Sequence, residues 1–224
     1  MNNKAVLITG SSKGLGKELA LIFASYGYDI ILHGRDTADL TMIKEKVFKK
    51  KVSCSIVKGD LRVNKTIREL FRIAKEKNIS LLINNAGSHC PHLPLEKIKD
   101  NQINEILITN LVAPIRLTKR IYSLFLNKGY GTIININSLS GLKPQKLRSI
   151  YCASKWGLRG FTDSLKLESQ KAGIRILGIY PGRIKTKPHF TFGMKPRQAA
   201  QKIYAAYKNS EINEVIIDKR CKTA

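Results

Sequence analysis

The sequence of 224 residues has few acidic side chains and no long apolar run. Aspartate and glutamate together number 16, against 40 lysines and arginines, which gives a formal net charge of +24. No apolar stretch approaches the ~20 residues that a membrane-spanning helix needs. The start, MNNKAVLITGSSKG, breaks its short apolar run with Thr, Gly and Ser, unlike a signal peptide. We therefore expect a cytoplasmic protein that does not cross a membrane.

Cysteine is also scarce, and its spacing excludes the common metal and redox motifs. The four cysteines have no C-x-x-C spacing and stand at positions 54, 90, 152 and 221. His89, Cys90 and His92 are close together, but they do not form a recognised ligand pattern. The sequence predicts reduced thiols and no metal site.

The positive charge has two interpretations at this point. An excess of this size is typical of proteins that meet phosphates, nucleic acids or acidic partners. A bias toward lysine codons would also produce it, with no function attached. The chain has no basic tail and no array of alternating aromatic and basic residues, which disfavours a nucleic-acid partner.

Short apolar runs alternate with amphipathic segments along the whole chain. Seven runs predict strands, at 5–9, 29–33, 54–58, 81–84, 132–137, 175–180 and 214–218. Several are nearly continuous in Val, Ile and Leu, as in parallel sheets that are covered on both faces. Segments 15–26 and 67–75 have helical spacing. The pattern predicts an α/β fold, a single Rossmann-type doubly wound domain over 1–224, with a seven-stranded parallel sheet flanked by helices on both faces.

A glycine-rich segment, TGSSKGLG, joins the first predicted strand to the first helix. Gly10, Gly14 and Gly16 have the spacing G-x-x-x-G-x-G, and a plain turn is one interpretation. At a helix N-terminus, however, glycines let backbone N–H groups approach a pyrophosphate closely. In an alternating α/β chain this position favours a dinucleotide site.

The end of the second strand favours one cofactor over the other. Arg35 follows that strand in LHGRD, and Lys13 lies within the glycine-rich segment. Basic residues there accommodate a 2′-phosphate, whereas an acid binds a free 2′-hydroxyl. Asp36 is a competing acid whose side chain should diverge from that of Arg35. We expect NADP(H), with NAD(H) as the alternative.

The segment SIYCASKWGLRGF places a tyrosine and a lysine one helical turn apart. Side chains at i and i+4 project from one face, so Tyr151 and Lys155 can share a pocket. An ammonium there favours the phenolate and lowers a pKa that starts near ~10. A chance pair in a lysine-rich chain is the alternative.

Seven motifs in this order resemble the short-chain dehydrogenase/reductase family over residues 4–218. After TGSSKGLG the motifs are GDL (59–61), NNAG (84–87), ITNLVAP (108–114), INSLSG (136–141), YCASK (151–155) and YPGRIKT (180–186). Among its members the chain is similar to 3-oxoacyl-[acyl-carrier-protein] reductases. The resemblance implies an NADP(H)-dependent oxidoreductase that interconverts a carbonyl and a secondary alcohol.

The resemblance also implies a catalytic tetrad. Tyr151 would be the general acid and base, and Lys155 would lower its pKa and bind the nicotinamide ribose. Ser138 would orient the substrate carbonyl. Asn110 would hold a water through which Lys155 reaches solvent.

The resemblance further implies which residues meet the cofactor. Gly10, Ser12, Lys13, Gly14, Leu15 and Gly16 would surround the phosphates, and Arg35 would meet the 2′-phosphate. Asp60 and Leu61 would meet the adenine, and Asn84, Ala86 and Gly87 the two riboses. Tyr151 and Lys155 would border the nicotinamide ribose, and Pro181, Gly182, Ile184 and Thr186 its carboxamide. For the segment 84–87, sheet-stabilising hydrogen bonds are the alternative.

A short, strongly basic substrate loop is predicted at about 183–195. Basic residues of this loop, of the segment 141–149 and of the start of the last predicted helix are together called the basic rim. The basic rim consists of Lys143, Lys146, Arg148, Arg183, Lys185, Lys187, Lys195 and Arg197. The basic rim predicts an anionic substrate, either carrier-protein- or CoA-linked or a charged small molecule. A surface that is basic everywhere is the alternative.

We expect a homodimer, with a tetramer left open. The competing function is that of a non-catalytic NADP-binding regulatory or nucleic-acid-associated protein on the same fold.

Overall fold

Seven parallel strands form one sheet in the structure, a computed structural model that describes residues 4–89, 92–186 and 192–218. The strands are β1 (Ala5–Ile8), β2 (Asp29–Gly34), β3 (Cys54–Lys58), β4 (Leu81–Asn84), β5 (Gly131–Ile136), β6 (Ile174–Pro181) and β7 (Glu214–Ile217). Each overlaps one of the seven predicted runs, and the predicted parallel sheet is confirmed.

The strand order is β3-β2-β1-β4-β5-β6-β7, so the chain begins in the middle of the sheet. Leu7 of β1 pairs with Ile31 on one side and with Leu82 on the other. The chain therefore winds outward first in one direction and then in the other. Connections on the two sides of β1 and β4 diverge, which leaves a crevice at the carboxyl ends of these strands.

Seven α-helices in the described part of the chain cover the two faces of the sheet. They are α1 (Gly14–Ser25), α2 (Thr37–Phe48), α3 (Asn64–Glu76), α4 (Asp100–Leu107), α5 (Ala113–Lys128), α6 (Ser149–Ser169) and α7 (Pro196–Lys208). A π-helical turn at Ile108–Val112 joins α4 to α5. Gly129, in the left-handed conformation, ends α5.

Alternate residues of each inner strand enter different cores. Val6 and Ile8 pack with α1, α2 and α7, whereas Leu7 packs with α3 and α5 on the opposite face. All three are fully buried. Because both faces of the sheet exclude water, the strands need apolar residues at nearly every position.

Two features of the described residues concern membrane crossing and the thiols. No helix in these ranges is both long enough and apolar enough to cross a bilayer. Cys54 and Cys152 are buried free thiols. Cys90 and Cys221 lie outside the described residues.

Candidate active site

A cavity of about 1290 Å³ opens at the carboxyl ends of the strands. It brings together eighteen of the twenty predicted site residues, namely Gly10, Ser12, Lys13, Gly14, Leu15, Gly16, Arg35, Asp60, Leu61, Ala86, Gly87, Ser138, Tyr151, Lys155, Pro181, Gly182, Ile184 and Thr186. Asn84 and Asn110 do not line it.

The glycine-rich segment forms a tight cradle on one side of the cavity. Gly10 has φ +64, and a Cβ there would lie 2.8 Å from the Cα of Ala86. A Cβ on Gly16 would lie 2.2 Å from the carbonyl oxygen of Gly10. Helix α1 begins at Gly14, so its first N–H groups are available beside the cavity. These residues fit a pyrophosphate, which needs close backbone approach at a helix N-terminus.

Asn85 fastens this cradle to the end of β4. Its Nδ2 donates to the carbonyl oxygens of Thr9 at 2.9 Å and Gly10 at 3.0 Å. The hydroxyl of Thr9 accepts from the N–H groups of Asn85 at 3.0 Å and Ala86 at 3.1 Å. The sequence reasoning missed Asn85, although it stands second in the NNAG motif.

Asn84, by contrast, turns its side chain into the sheet layer. Its Nδ2 donates to Thr118 Oγ1 at 2.9 Å and to Asn135 Oδ1 at 2.8 Å, and the residue is buried. These contacts match the sheet-stabilising hydrogen bonds considered for this segment, while the ribose contact of Asn84 stays a prediction. Successive side chains of an extended segment point in opposite directions, so Asn84 and Asn85 have different roles.

His33 is a second residue that the sequence reasoning missed. The N–H of Gly10 donates to His33 Nδ1 at 3.2 Å, so Nε2 carries the proton and donates to the carbonyl of Gly59 at 3.2 Å. Burial lowers the pKa of His33 to about 4, which keeps the ring neutral. His33 thereby joins the glycine cradle to the end of β3.

Arg35 lines the cavity, and the two charged residues considered beside it, Asp36 and Lys13, both have other partners. Asp36 caps α2, its Oδ1 accepting from the N–H of Asp39 at 3.2 Å. Lys13 Nζ lies 2.8 Å from Asp39 Oδ2, and this pairing raises the pKa of Lys13. The carboxylate of Asp36 is therefore occupied by the cap of α2. Lys13, the second cation predicted for the 2′-phosphate, is paired with Asp39.

Asp60 lines the cavity but already holds a partner. Arg62 Nη2 lies 2.7 Å from Asp60 Oδ2, and this contact holds the pKa of the carboxyl below its usual range. The side chain is fixed at the end of β3, beside Leu61.

Tyr151 and Lys155 lie in the first two turns of α6, as the spacing predicted. Lys155 Nζ is 5.9 Å from the centre of the Tyr151 ring and donates to the carbonyl of Ile136 at 3.0 Å. Lys155 is buried, and burial lowers the pKa of its ammonium to about 8. At neutral pH a positive charge therefore lies beside the tyrosine.

Ser138 follows β5 on the same side of the cavity. Its hydroxyl accepts from the N–H of Ser140 at 3.1 Å and caps the short 3₁₀ turn Leu139–Gly141. The turn fixes the Ser138 side chain where β5 ends, in the cavity that Tyr151 also lines.

Asn110 lies in the π-helical turn, behind the cavity. Its Oδ1 accepts from the N–H of Ser88 at 2.6 Å, and its Nδ2 donates to the carbonyl of Ser88 and to Ser154 Oγ. The side chain thus fastens the segment after β4 to α6. Its predicted role of holding a water for Lys155 stays a prediction.

Two arginines of the basic rim line the cavity. Arg148 Cζ lies 4.4 Å from the centre of the Tyr151 ring, and Arg183 Cζ lies 4.1 Å from that of Phe192. Other described members of the rim do not line the cavity, and Lys187 lies outside the described residues, as does part of the predicted substrate loop. Within the described ranges no three His, Cys, Asp or Glu side chains are grouped to hold a metal.

Comparison with known proteins agrees with this geometry. The family model described as short chain dehydrogenase matches residues 4–191. The chain is 31% identical over 204 residues to 3-oxoacyl-[acyl-carrier-protein] reductase FabG of Rickettsia prowazekii, covering 91% of this chain and 82% of that protein. It is 32% identical over 218 residues to an NADP-dependent 3-hydroxy acid dehydrogenase of Schizosaccharomyces pombe, covering 94% and 82%.

Solved structures share the fold over nearly the whole chain. The bulky-bulky ketone specific alcohol dehydrogenase from Comamonas testosteroni superposes with a TM-score of 0.91 at 26% identity, covering 100% of this chain and 89% of that one. A short-chain dehydrogenase from Sphingobium yanoikuyae in complex with NADPH gives 0.88 at 25% identity, covering 95% and 87%.

Proposed function

The chain belongs to the short-chain dehydrogenase family, and we propose that it interconverts a carbonyl compound and a secondary alcohol with NADP(H) and with Tyr151 as general acid and base. Its membership makes it an NAD(P)-dependent oxidoreductase that acts on CH–OH groups. The observation that carries the finer proposal is that Tyr151, Lys155 and Ser138 face the same cavity as the glycine cradle.

The cofactor half of the cavity supports NADP(H). The backbone N–H groups at the start of α1 would bind the pyrophosphate. Arg35 would pair with the 2′-phosphate, because its guanidinium donates bidentately and Asp36 is occupied with the α2 cap. The Sphingobium yanoikuyae relative binds NADPH, which supports the same choice.

The chemistry divides between cofactor and protein. When bound, the reduced nicotinamide supplies the hydride that becomes the new C–H bond of the alcohol. The Tyr151 hydroxyl gives its proton to the carbonyl oxygen and later regains one from solvent. In oxidation Tyr151 takes the proton from the alcohol. The buried ammonium of Lys155 favours the phenolate, and Ser138 would hold the substrate oxygen.

The substrate and partners follow from the site and from the relatives. We propose an anionic carbonyl substrate, since two arginines of the basic rim and Lys155 line the cavity and the relatives are named for acyl-carrier and 3-hydroxy acid substrates. We propose a homodimer through α5 and α6, where Leu126, Trp156 and Leu167 expose large apolar surfaces.

The cytoplasm is the proposed location, since it maintains thiols such as Cys54 and Cys152 in reduced form.

The test is NADPH oxidation with an activated diketone, followed spectrophotometrically. Tyr151→Phe should lose at least ~10²-fold in kcat, the usual scale of a missing general acid, while NADPH affinity stays nearly unchanged. Tyr130→Phe is the matched control, because Tyr130 is exposed and lies outside the cavity. Turnover near that of the wild type in Tyr151→Phe would remove Tyr151 from the mechanism.

A further inference from the structure

We propose that Arg148 binds a carboxylate of the substrate itself, so that the substrate is an oxo acid or hydroxy acid whose charge lies only a few bonds from the reacting carbon. The inference rests on the proposed function, because it takes Tyr151 as the group that meets the reacting oxygen. The inference narrows the proposed substrate class from all anionic carbonyl compounds to small free acids.

The guanidinium of Arg148 is placed directly over the catalytic ring. Its Cζ is 4.4 Å from the centre of the Tyr151 ring, and both residues line the cavity. Arg148 immediately precedes α6 and follows Leu147, which has φ +61. A bulky residue in the left-handed region is uncommon and marks a backbone held by its surroundings. The loop therefore keeps Arg148 beside Tyr151 at a local conformational cost.

Arg148 has hydrogen-bond donors that the described protein does not use. Its Nη1 donates to Gln145 Oε1 at 2.7 Å, and Gln145 is neutral. Its Nε is buried without an acceptor, and no described residue forms an ion pair with it. A buried donor without an acceptor is unfavourable, and a carboxylate would accept from the guanidinium bidentately. A carboxylate bound in the cavity would supply an acceptor and would also neutralise the positive charge of Arg148.

Two carboxylates of the cavity are already engaged elsewhere. Asp60 is held by Arg62 at 2.7 Å. Glu105 Oε1 accepts from the Ser88 hydroxyl at 2.9 Å, and Glu105 Oε2 lies 3.7 Å from Arg62 Nη1. Asp218 is the third carboxylate that lines the cavity, and none of the three forms an ion pair with Arg148, so the charge beside Tyr151 is left for a ligand.

The position of Arg148 also decides between the two kinds of anionic substrate. Because the guanidinium carbon lies 4.4 Å from the centre of the Tyr151 ring, an anion that it binds must lie close to the reacting carbonyl. A 3-oxo acid has its carboxylate two bonds from that carbonyl carbon. A carrier-bound 3-oxoacyl thioester is neutral there, and its nearest charge is a phosphate many bonds away. Arg148 thus fits the free acid better than the carrier-bound chain.

The first experiment compares 3-oxobutanoate with methyl 3-oxobutanoate, which differ in the carboxylate. Arg148→Gln should lower kcat/KM for the acid by about 10- to 100-fold, the scale of a lost hydrogen bond to a charged group, and change that for the ester by less than about threefold. Arg148→Lys should restore part of the loss. Lys146→Gln is the matched control: it removes the same charge from the same exposed loop, outside the cavity, and should leave both substrates within about threefold. Equal losses for acid and ester would overturn the proposal.

A binding measurement separates this inference from the proposed function. Calorimetry should detect 3-hydroxybutanoate binding to Tyr151→Phe protein with NADP⁺, and adding Arg148→Gln should raise its Kd at least about 10-fold. Unchanged binding in the double variant would overturn the role of Arg148. Wild-type protein that binds the acid through Arg148 yet oxidises no NADPH with any ketone would refute the proposed function and leave only the carboxylate-binding role of Arg148 standing.

Discussion

The Cα of Gly16 faces the carbonyl oxygen of Gly10 so closely that a Cβ would lie 2.2 Å from that oxygen. The same Cβ would lie 2.5 Å from Nδ2 of Asn85, which donates to the Gly10 carbonyl. No side chain fits between the first turn of α1 and the cradle. The glycine therefore sets how near the helix N-terminus comes to the cradle, where we propose that the cofactor phosphates bind.

Gly16→Ala should push α1 away from the cradle. We expect a loss of roughly 1–3 kcal/mol in the free energy of unfolding, the scale of overpacking, together with weaker NADPH binding. Gly160→Ala is the matched control, because a Cβ at Gly160 in α6 meets nothing within 4 Å. That control should gain about 0.5–1 kcal/mol from helix propensity. Urea unfolding and NADPH titration measure both, and a Gly16→Ala protein with wild-type values would contradict the packing argument.

Arg35→Asp should reverse the cofactor preference. An aspartate would repel the 2′-phosphate and accept from a free 2′-hydroxyl, so NADPH affinity should fall by about 1.5–3 kcal/mol with NADH less affected. Lys13→Gln should have a smaller effect, because Lys13 already pairs with Asp39. Titration of both cofactors decides. If Lys13→Gln changed the preference more than Arg35→Asp, the assignment of the 2′-phosphate to Arg35 would be wrong.

His33→Leu should weaken the fold and alter its pH dependence. The change leaves the Gly10 N–H and the Gly59 carbonyl without their partner, which should cost about 2–4 kcal/mol at pH 7. In the wild type the folded pKa is about 4 and the ordinary value is 6.5. The contribution of the neutral ring is complete above pH 6.5 and is lost as the pH falls toward 4, by about 3 kcal/mol at most.

Urea unfolding of the apoprotein at pH 7.5, 6 and 4.5 measures this effect. The His33→Leu and wild-type values should converge as the pH falls. His92→Leu, a change at an exposed histidine, should follow the wild type. Parallel curves for His33→Leu and the wild type would show that His33 is not buried in its neutral form.

Lys155→Met should stabilise the apoprotein while it damages the site. Burial lowers the pKa of Lys155 from 10.5 to about 8, so below pH 8 the folded protein carries a buried charge at full cost. The variant should be more stable there by about 1–2 kcal/mol, after the loss of the bond to the Ile136 carbonyl. The advantage should shrink as the pH rises from 8 to 10.5, because the folded lysine is then neutral.

Unfolding of the apoprotein across pH 7 to 10.5 tests this sign, and turnover should be lost in the same variant. Lys58→Met, a change at an exposed lysine on β3, is the control and should keep the wild-type pH dependence. A Lys155→Met protein that is less stable than the wild type throughout would mean that the ammonium contributes more to folding than its burial costs.

The strands and the site position were predictable because they depend on local patterns. The run 81–84 coincides with β4, since a strand buried on both faces is almost wholly apolar. The helix beginning at Ser149 and the pairing of Tyr151 with Lys155 follow from helical spacing alone.

The remaining site residues depend on contacts that spacing does not encode. Asn84 and Asn85 are adjacent and identical, and only the direction of each side chain in the fold separates their roles. His33 acts through Gly10 and Gly59, which are 23 and 26 residues away in sequence. Arg148 is one of 40 basic residues, and its position over the Tyr151 ring is visible only in three dimensions.

In the proposed reaction a carbonyl carbon in this cavity receives a hydride from NADPH while Tyr151 supplies the proton. The test uses NADPH that carries deuterium in place of one or the other of the two hydrogens on nicotinamide C4. Each of these two forms is given to the protein with 3-oxobutanoate or an activated diketone. We predict that one form yields an alcohol with one deuterium on the carbinol carbon by mass spectrometry, and that Tyr151→Phe forms at least ~10²-fold less of it. Protein that binds NADPH but gives no deuterated alcohol from either form would contradict the account.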